Sequence, residues 1–308
     1  MEGYGAIPVM EIGGSHVASA IVAPTAEPPG HGFTVECVNR IPLDPHWDAE
    51  SLLEAFVSAG NLLPVTDSRA WGVAVPGPFD YATGVGLYTG DDVGKFEALG
   101  GVSVREELTR RLPGQPSEVA FLNDADAFGL GECAAGAGRG FGRVVCLTLG
   151  SGVGSAFIDR GRVVSDGSTV PPGGEAYRIE FHGEPLEDIV SRRAMRRQYQ
   201  ALTGVDVDLA EMASLARLGD VAATGVWSRA MATLGEALGP WLASFCAQAL
   251  VVGGAVSGSW DIIAEPLRRG LFAAGKGAGL VPVIRAAPGL SSSFIGVAVA
   301  VQAALRDG

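Results

Sequence analysis

The chain has 308 residues, 47% hydrophobic and 18% charged, which fits two domains or one large α/β domain and excludes a disordered chain. Its formal net charge of −12, with no Lys/Arg run, argues against nucleic acid or an anionic membrane as partner, although a few local donors can still hold a small anion. The N-terminus MEGYGAIPVM has no basic segment leading into an apolar core, so no signal peptide is expected. No stretch of about 18 apolar residues is free of charge, so no membrane span is expected. Cys37, Cys133, Cys146 and Cys246 form no CxxC pair and sit among apolar or small residues. They read as buried free thiols in a reducing, cytosolic setting.

In chain order, IPVMEI reads as a strand and leads into GSHVASAIV at 14–22. The stretch GSGVGSAFI at 150–158 repeats it at five of nine positions, again after an apolar strand, RVVCLTL. Each copy predicts strand, tight Gly/Ser turn, strand. The bland reading is two unrelated hairpins. The functional reading is a duplicated unit, one per domain, whose small turns let backbone N–H groups approach a polyphosphate. No Walker A loop is present, because GDDVGKF at 90–96 has the wrong spacing and no Ser/Thr after Lys95. The first turn has no GxGxxG and leads to a strand, so it is not a Rossmann fingerprint.

Between the copies, WGVAV (71–75) predicts a buried strand closed by PGP (76–78). SVREELTRRL (103–112) predicts a helix with a Ser103–Glu106 capping box. EVAFL (118–122) predicts a strand, and Ala125 to about Ala135 a helix. At their junction stands NDAD, Asn123 to Asp126. A helix cap explains one such residue, but three candidates are more than a cap needs. GAGRGFG (136–142) reads as a flexible connection. Further on come helices at 186–202, 208–218 and about 220–246, a strand QALVVGG (248–254), a helix at 259–271, a strand VPVIRA (281–286) and a last helix at 291–306. Alternating strands and helices predict α/β architecture.

These pieces, in this order, resemble the ROK family (repressor, open reading frame, kinase) of sugar kinases, within the actin-like ATPase superfamily. The likeness runs from MEIGGSHVASAIV through WGVAVPGPFD, FLNDADAFGLGE, GAGRGFGRVVCLTLGSGVGSAFIDRGRVV and GGEAYR to LVVGGAVSGS. The resemblance implies two ribonuclease H-like α/β domains around a central cleft, expected at 1–122 with 290–308 and at 123–289. It implies ATP and Mg²⁺ as cofactors and a homodimer. It assigns Gly13, Gly14, Ser15 and His16 to a first phosphate loop, Gly150, Ser151 and Gly152 to a second, and Gly253 and Gly254 to the flanks of adenosine. It makes Asp124 the catalytic base and Asn123 a sugar ligand. Gly77, Glu175, Arg178 and Glu187 join the sugar-binding set. A carboxylate suits Asp124 because phosphoryl transfer needs an aligned nucleophile and a proton acceptor. Asp126 reads as a helix-start charge.

The departures from the family pattern carry expectations too. The family's zinc-binding cysteines are missing from GGEAYRIEFHGEPLED (173–188), and Arg178 stands where a His would be, so no zinc is expected. Glu11 replaces an Asp before the first Gly-Gly and is expected to reach Mg²⁺ through water. Asp91 and Asp92 add negative charge in a segment where relatives carry a sugar-binding Asn. They read as turn residues or as partners of a cationic amino sugar such as kanosamine. The expected activity is phosphorylation of a hexose 6-hydroxyl, with glucose and N-acetylated hexosamines as alternatives. A repressor would carry an N-terminal helix-turn-helix, for which a phosphate loop starting by residue 13 leaves no room. A catalytically dead sugar or nucleotide sensor is the remaining class, and the retained Asp124 argues against it.

Overall fold

In the computed structural model, residues 5–25, 32–90, 94–150, 152–287 and 291–307 are described. The strand β1 (Ile7–Ile12) is apolar on both sides, and alternation sends Met10 and Ile12 to one face and Ile7 and Val9 to the other. It turns through residues 13–16 into β2 (His16–Pro24), which pairs with β3 (Phe33–Pro42). Helix α1 (Ala49–Asn61) starts at Asp48, whose carboxylate accepts from the Ser51 N–H at 2.9 Å. Then follow β4 (Ala70–Val75), a small ribbon of β5 (Phe79–Asp80) and β6 (Val85–Gly86), α2 (Val104–Arg111), β7 (Glu118–Asn123) and α3 (Asp124–Ala135). Ser103 caps α2 through the Glu106 N–H at 3.3 Å, as its sequence predicts.

The second unit opens with β8 (Arg143–Leu149), β9 (Val153–Asp159) and β10 (Arg162–Val163). A ribbon of β11 (Glu180–Phe181) and β12 (Glu184–Pro185) precedes α4 (Leu186–Val190), α5 (Arg192–Thr203), α6 (Leu209–Arg217) and α7 (Val221–Phe245). The single helix expected at 186–202 is therefore two. Ser191 is extended, at φ −67° and ψ 159°, and its hydroxyl accepts from the Ala194 N–H to start α5 afresh. The chain continues through β13 (Ala249–Gly253), α8 (Trp260–Ala274), α9 (Lys276–Gly279) and β14 (Val283–Arg285) to α10 (Ser292–Asp307).

The two sheets have one topology. The first runs β3-β2-β1-β4-β7 and the second β10-β9-β8-β13-β14. In both, the first three strands are antiparallel hairpin partners and the last three are parallel. The duplication read from nine residues thus extends to whole sheets. The second serine of each copy, Ser19 or Ser155, lies on the strand and not in the turn. Ser19 is buried and donates to Ala59 O at 2.7 Å, while Ser155 is buried, donates to Gly174 O at 2.7 Å and accepts from Ala176 N. Each pins the segment packed beneath its hairpin.

Residues up to Ala135, together with α10, form one compact unit, and the segment from Gly136 up to α10 forms the other. The sequence-based boundary at 122/123 is moved accordingly: Asn123, Asp124 and α3 belong to the first unit. The reason is packing, since α3 lies along α10, and α10 covers β4 and β1. Small residues line that face of the sheet, Ala18, Ala20, Ala70 and Ala74, and a Cβ on Gly72 would stand 2.1 Å from Val297 Cγ1. Of the four thiols expected to be buried only one is, and two are fully at odds with the expectation. Cys146 is buried and Cys133 half-buried, but Cys37 and Cys246 are exposed. Both take left-handed backbone, φ 53° where the β2–β3 register shifts and φ 55° at the end of α7. Among the described residues no helix is long and apolar enough to cross a membrane.

Candidate active site

In the first unit β1, β4 and β7 run parallel, with Val75 beside Asn123 and Ala74 beside Glu11. Their carboxyl ends open onto the 13–16 turn, the Pro76-Gly77-Pro78 segment and Asn123-Asp124. The carboxyl edge of parallel strands is where α/β sheets hold ligands.

Asn123 supplies the helix cap that the bland reading anticipated. Its Oδ1 accepts from the Ala125 N–H at 2.9 Å, and its Nδ2 donates to the Tyr81 hydroxyl at 2.9 Å. Asp124 shares that cap without being required for it. Its Oδ1 also accepts from Ala125 N at 2.9 Å, but its main constraint is electrostatic. Burial pushes its carboxyl above the usual range, and backbone N–H bonds from Ala125 and its own residue pull part of the way back. Asp126 lies on the first turn of α3.

Glu11 faces the same region. Its carboxyl is pushed up by burial first and by the charge of Asp124 second, against a Ser293 hydroxyl bond and the Arg40 charge. Asp124 raises the proton affinity of the Glu11 carboxyl, and two carboxylates placed this way fit a hydrated Mg²⁺, which would satisfy both charges. Tyr88 donates to Pro76 O at 2.6 Å, and its phenol is pushed up by burial, then by Tyr81 and Asp124. Gly77 leaves only ordinary space beside the Tyr81 hydroxyl, 3.4 Å from where a Cβ would be.

The first turn is closed by Gly13 N–H on His16 O at 2.8 Å, and Ser15 O accepts from Leu43 N. Gly13 and Gly14 are not left-handed. Their value is space: a Cβ on Gly14 would stand 3.1 Å from Lys95 Nζ, and one on Gly13 3.0 Å from His16 Cε1. Arg40 Nη2 donates to His16 Nδ1 at 2.9 Å, and the His16 ring is held below its usual pKa by burial and then by Arg40.

In the second unit the matching turn is shorter, since Leu149 pairs with Val153 directly across 150–152. Gly150 N–H bonds Gly152 O at 3.1 Å. Ser151 lies outside the described residues, as do Asp91 and Asp92. Glu187 rests on this turn: a Cβ on Gly152 would fall 2.4 Å from Glu187 Oε1, and its carboxylate accepts from Val153 N–H. Burial raises the Glu187 carboxyl, while Arg193 lowers it. Gly253 lies beside Thr148, and Gly254 is left-handed at φ 78° with Leu149 O 2.4 Å from a would-be Cβ. Gly254 is therefore demanded by its backbone conformation and by its close approach to Leu149, at the end of β8.

Glu175 is held locally. Arg178 Nε donates to its carboxylate in an ion pair, the Tyr177 hydroxyl donates to it at 3.1 Å, and the Arg178 guanidinium lies over the Tyr177 ring. Glu175 and Glu187 are not joined by any hydrogen bond among the described residues. Sequence reasoning missed Tyr81, Tyr88, Arg40, Ser293 and Lys95. Only Lys95 carried a signal, in a Gly-Lys pair dismissed for its spacing.

Comparison with known proteins places this geometry. A sequence profile described as the ROK family matches residues 102–304. The chain is similar to the glucokinase of Thermotoga maritima, 30% identical over 243 residues that cover 71% of this chain and 72% of that protein. Its fold is similar to that of a ROK hexokinase from Thermus thermophilus, with a TM-score of 0.78 at 23% identity over 98% of this chain and 100% of that one. It is also similar to a ROK family glucokinase from Streptomyces griseus in complex with glucose and AMPPNP, with a TM-score of 0.73 at 22% identity over 99% and 100% of the two chains.

Proposed function

Since the chain belongs to the ROK family, we propose that this sugar kinase transfers the γ-phosphoryl group of ATP to the 6-hydroxyl of a hexose, with an amino sugar such as kanosamine as the specific substrate. The observation that carries the kinase reading is Asp124, a carboxylate at the end of β7 whose proton affinity is raised by burial. A base must hold the proton it takes, and raising a carboxyl toward neutral pH improves it. Asp124 accepts the proton as the sugar oxygen bonds to the γ-phosphorus and the bond to ADP breaks. Glu11 would hold Mg²⁺ through water, and the ion would supply charge neutralisation at the phosphates.

The amino-sugar reading has one support in the side chains. Arg178 would repel a substrate ammonium if it were unpaired, but it is bound to Glu175. A protonated amine would gain a charge-assisted bond on the order of 1.5–3 kcal/mol. Kanosamine is therefore expected to exceed glucose in kcat/KM by roughly 10–100-fold. Measuring kanosamine, glucosamine, N-acetylglucosamine and glucose under one set of conditions tests this. Glucose ranking first would make the protein a glucokinase, and turnover of none of these sugars would remove the hexose-kinase reading.

Each Gly/Ser turn is proposed to contribute to nucleotide binding. Val at Gly14 would collide with Lys95, and Val at Gly152 with Glu187. Both Gly14→Val and Gly152→Val are expected to weaken ATP binding with little change in melting temperature. If calorimetry finds only one of them impaired, the duplicated turns do not share this role.

A further inference from the structure

Lys95 stands over the first Gly-Gly turn, and the segment that carries it is firmly held. Phe96 is left-handed at φ 59°, a conformation a bulky residue keeps only when its surroundings impose it. Its N–H donates to Pro45 O at 2.8 Å, and its buried ring lies 5.6 Å from that of Tyr88. Holding Phe96 this way delivers the preceding side chain across Gly14, with Cδ and Cε 3.6 Å and Nζ 3.1 Å from the position a Cβ would take. Lys95 is half-buried, and among the described residues it makes no ion pair or hydrogen bond.

The turn beneath it is also short of acceptors. Among the described residues the N–H groups of Gly14 and Ser15 have no protein acceptor. At the same turn Arg40 donates into His16 Nδ1, so the ring hydrogen sits on Nε2, where it can donate. One ammonium, one guanidinium, one imidazole N–H and two backbone N–H groups therefore gather at one turn, in a chain whose net charge is −12. A concavity of N–H groups backed by cations is an anion site.

We propose that Lys95 is a catalytic residue that binds the terminal phosphoryl group of the donor over the Gly13-Gly14 turn, at which His16 and its partner Arg40 also stand. The assignment rests on the kinase reading above. The group held would be the same whether it is still on the nucleotide or already on the sugar, so the test separates the two sources. ATP, ADP, AMP, inorganic tripolyphosphate and glucose 6-phosphate are titrated by calorimetry into the wild type, Lys95→Met and Lys95→Arg.

Lys95→Met is expected to lose roughly 10–100-fold in affinity for ATP and tripolyphosphate, the worth of one charge-assisted bond. AMP should bind it as it binds the wild type, Lys95→Arg should recover part of the loss, and melting temperature should not move. Equal loss for ATP and AMP, no loss for ATP, loss confined to glucose 6-phosphate, or a wild type that binds neither ATP nor tripolyphosphate would each overturn the proposal. Failure of the kinase reading shows separately, as a wild type that binds ATP but phosphorylates no hexose.

Discussion

Asp124→Asn is expected to lower kcat by about 10²–10⁴ and at the same time to raise the melting temperature at neutral pH. The two effects share a cause. The carboxyl is pushed above its ordinary range by burial, so ionising it costs the folded state more than the unfolded one. A group whose folded pKa is raised contributes its full stability below the unfolded value, about 4 for Asp, and loses it as pH rises through the folded value. At neutral pH the wild type therefore carries a penalty that a neutral amide does not. Asn keeps an oxygen for the Ala125 N–H, so the start of α3 is retained. Thermal melts from pH 7 downward should show the variant's advantage shrinking toward about pH 4. A variant with wild-type kcat would remove Asp124 as the base. One that melts below the wild type at neutral pH would show that the carboxylate is not held against its solvation.

The second large effect is expected where α3 crosses α10. A Cβ on Gly296 would stand 1.8 Å from Ala127 O, and one on Gly131 would stand 1.9 Å from Ser292 O. These are backbone atoms, so no side chain can swing aside and the helices must part. Ala would otherwise favour a helix by up to about 1 kcal/mol over Gly, but overpacking of this severity costs about 3 kcal/mol or more. That is a large share of the 5–15 kcal/mol typical of a folded protein. Urea denaturation of Gly296→Ala should show this loss, with activity reduced as well because α3 begins at Asp124. Gly225→Ala in α7 is the control, since nothing lies within 4 Å of its would-be Cβ. It should be neutral or gain up to about 1 kcal/mol. If Gly296→Ala unfolds at the wild-type urea concentration, the crossing is not as close as described.

The strands that carry the site were legible because they are apolar runs ended by Gly, Pro or Asn, as at Val75-Pro76 and Leu122-Asn123. The duplication was legible because the two hairpins keep Gly, Ser and Ala in register. β3 and α1 were not read, since FTVECVNRIP alternates poorly and has five exposed positions, and α1 announces itself mainly through Asp48. The break at Ser191 was hidden because Ser is compatible with a helix and its capping bond depends on local backbone geometry. The division of labour at NDAD was half legible. Pattern pointed to both Asn123 and Asp124; both accept from the Ala125 N–H, and what separates them is the further bond of Asn123 to Tyr81 and the burial that raises the Asp124 carboxyl. Arg40, Ser293 and Lys95 reach the site from distant segments, and no local spacing encodes that.

The buried Ser292 hydroxyl donates to the equally buried Glu132 carboxylate at 2.5 Å, across a sequence separation of 160 residues. That bond has a temporal meaning during synthesis. The helix that begins at the proposed base leaves the ribosome well before the helix that shields it, and the whole second unit is translated in between. At about 5–20 residues per second the delay is on the order of 10 s or more. Throughout that interval the alanine-lined face of the first sheet, and the Glu132 carboxylate that Ser292 meets in the finished fold, lack the helix that covers them. The second unit is contiguous in sequence, whereas the first is completed only when the last helix has been made. A nascent chain stalled before that helix would carry the proposed base and both turns, yet lack the element that packs along α3 and bonds Glu132 and Glu11.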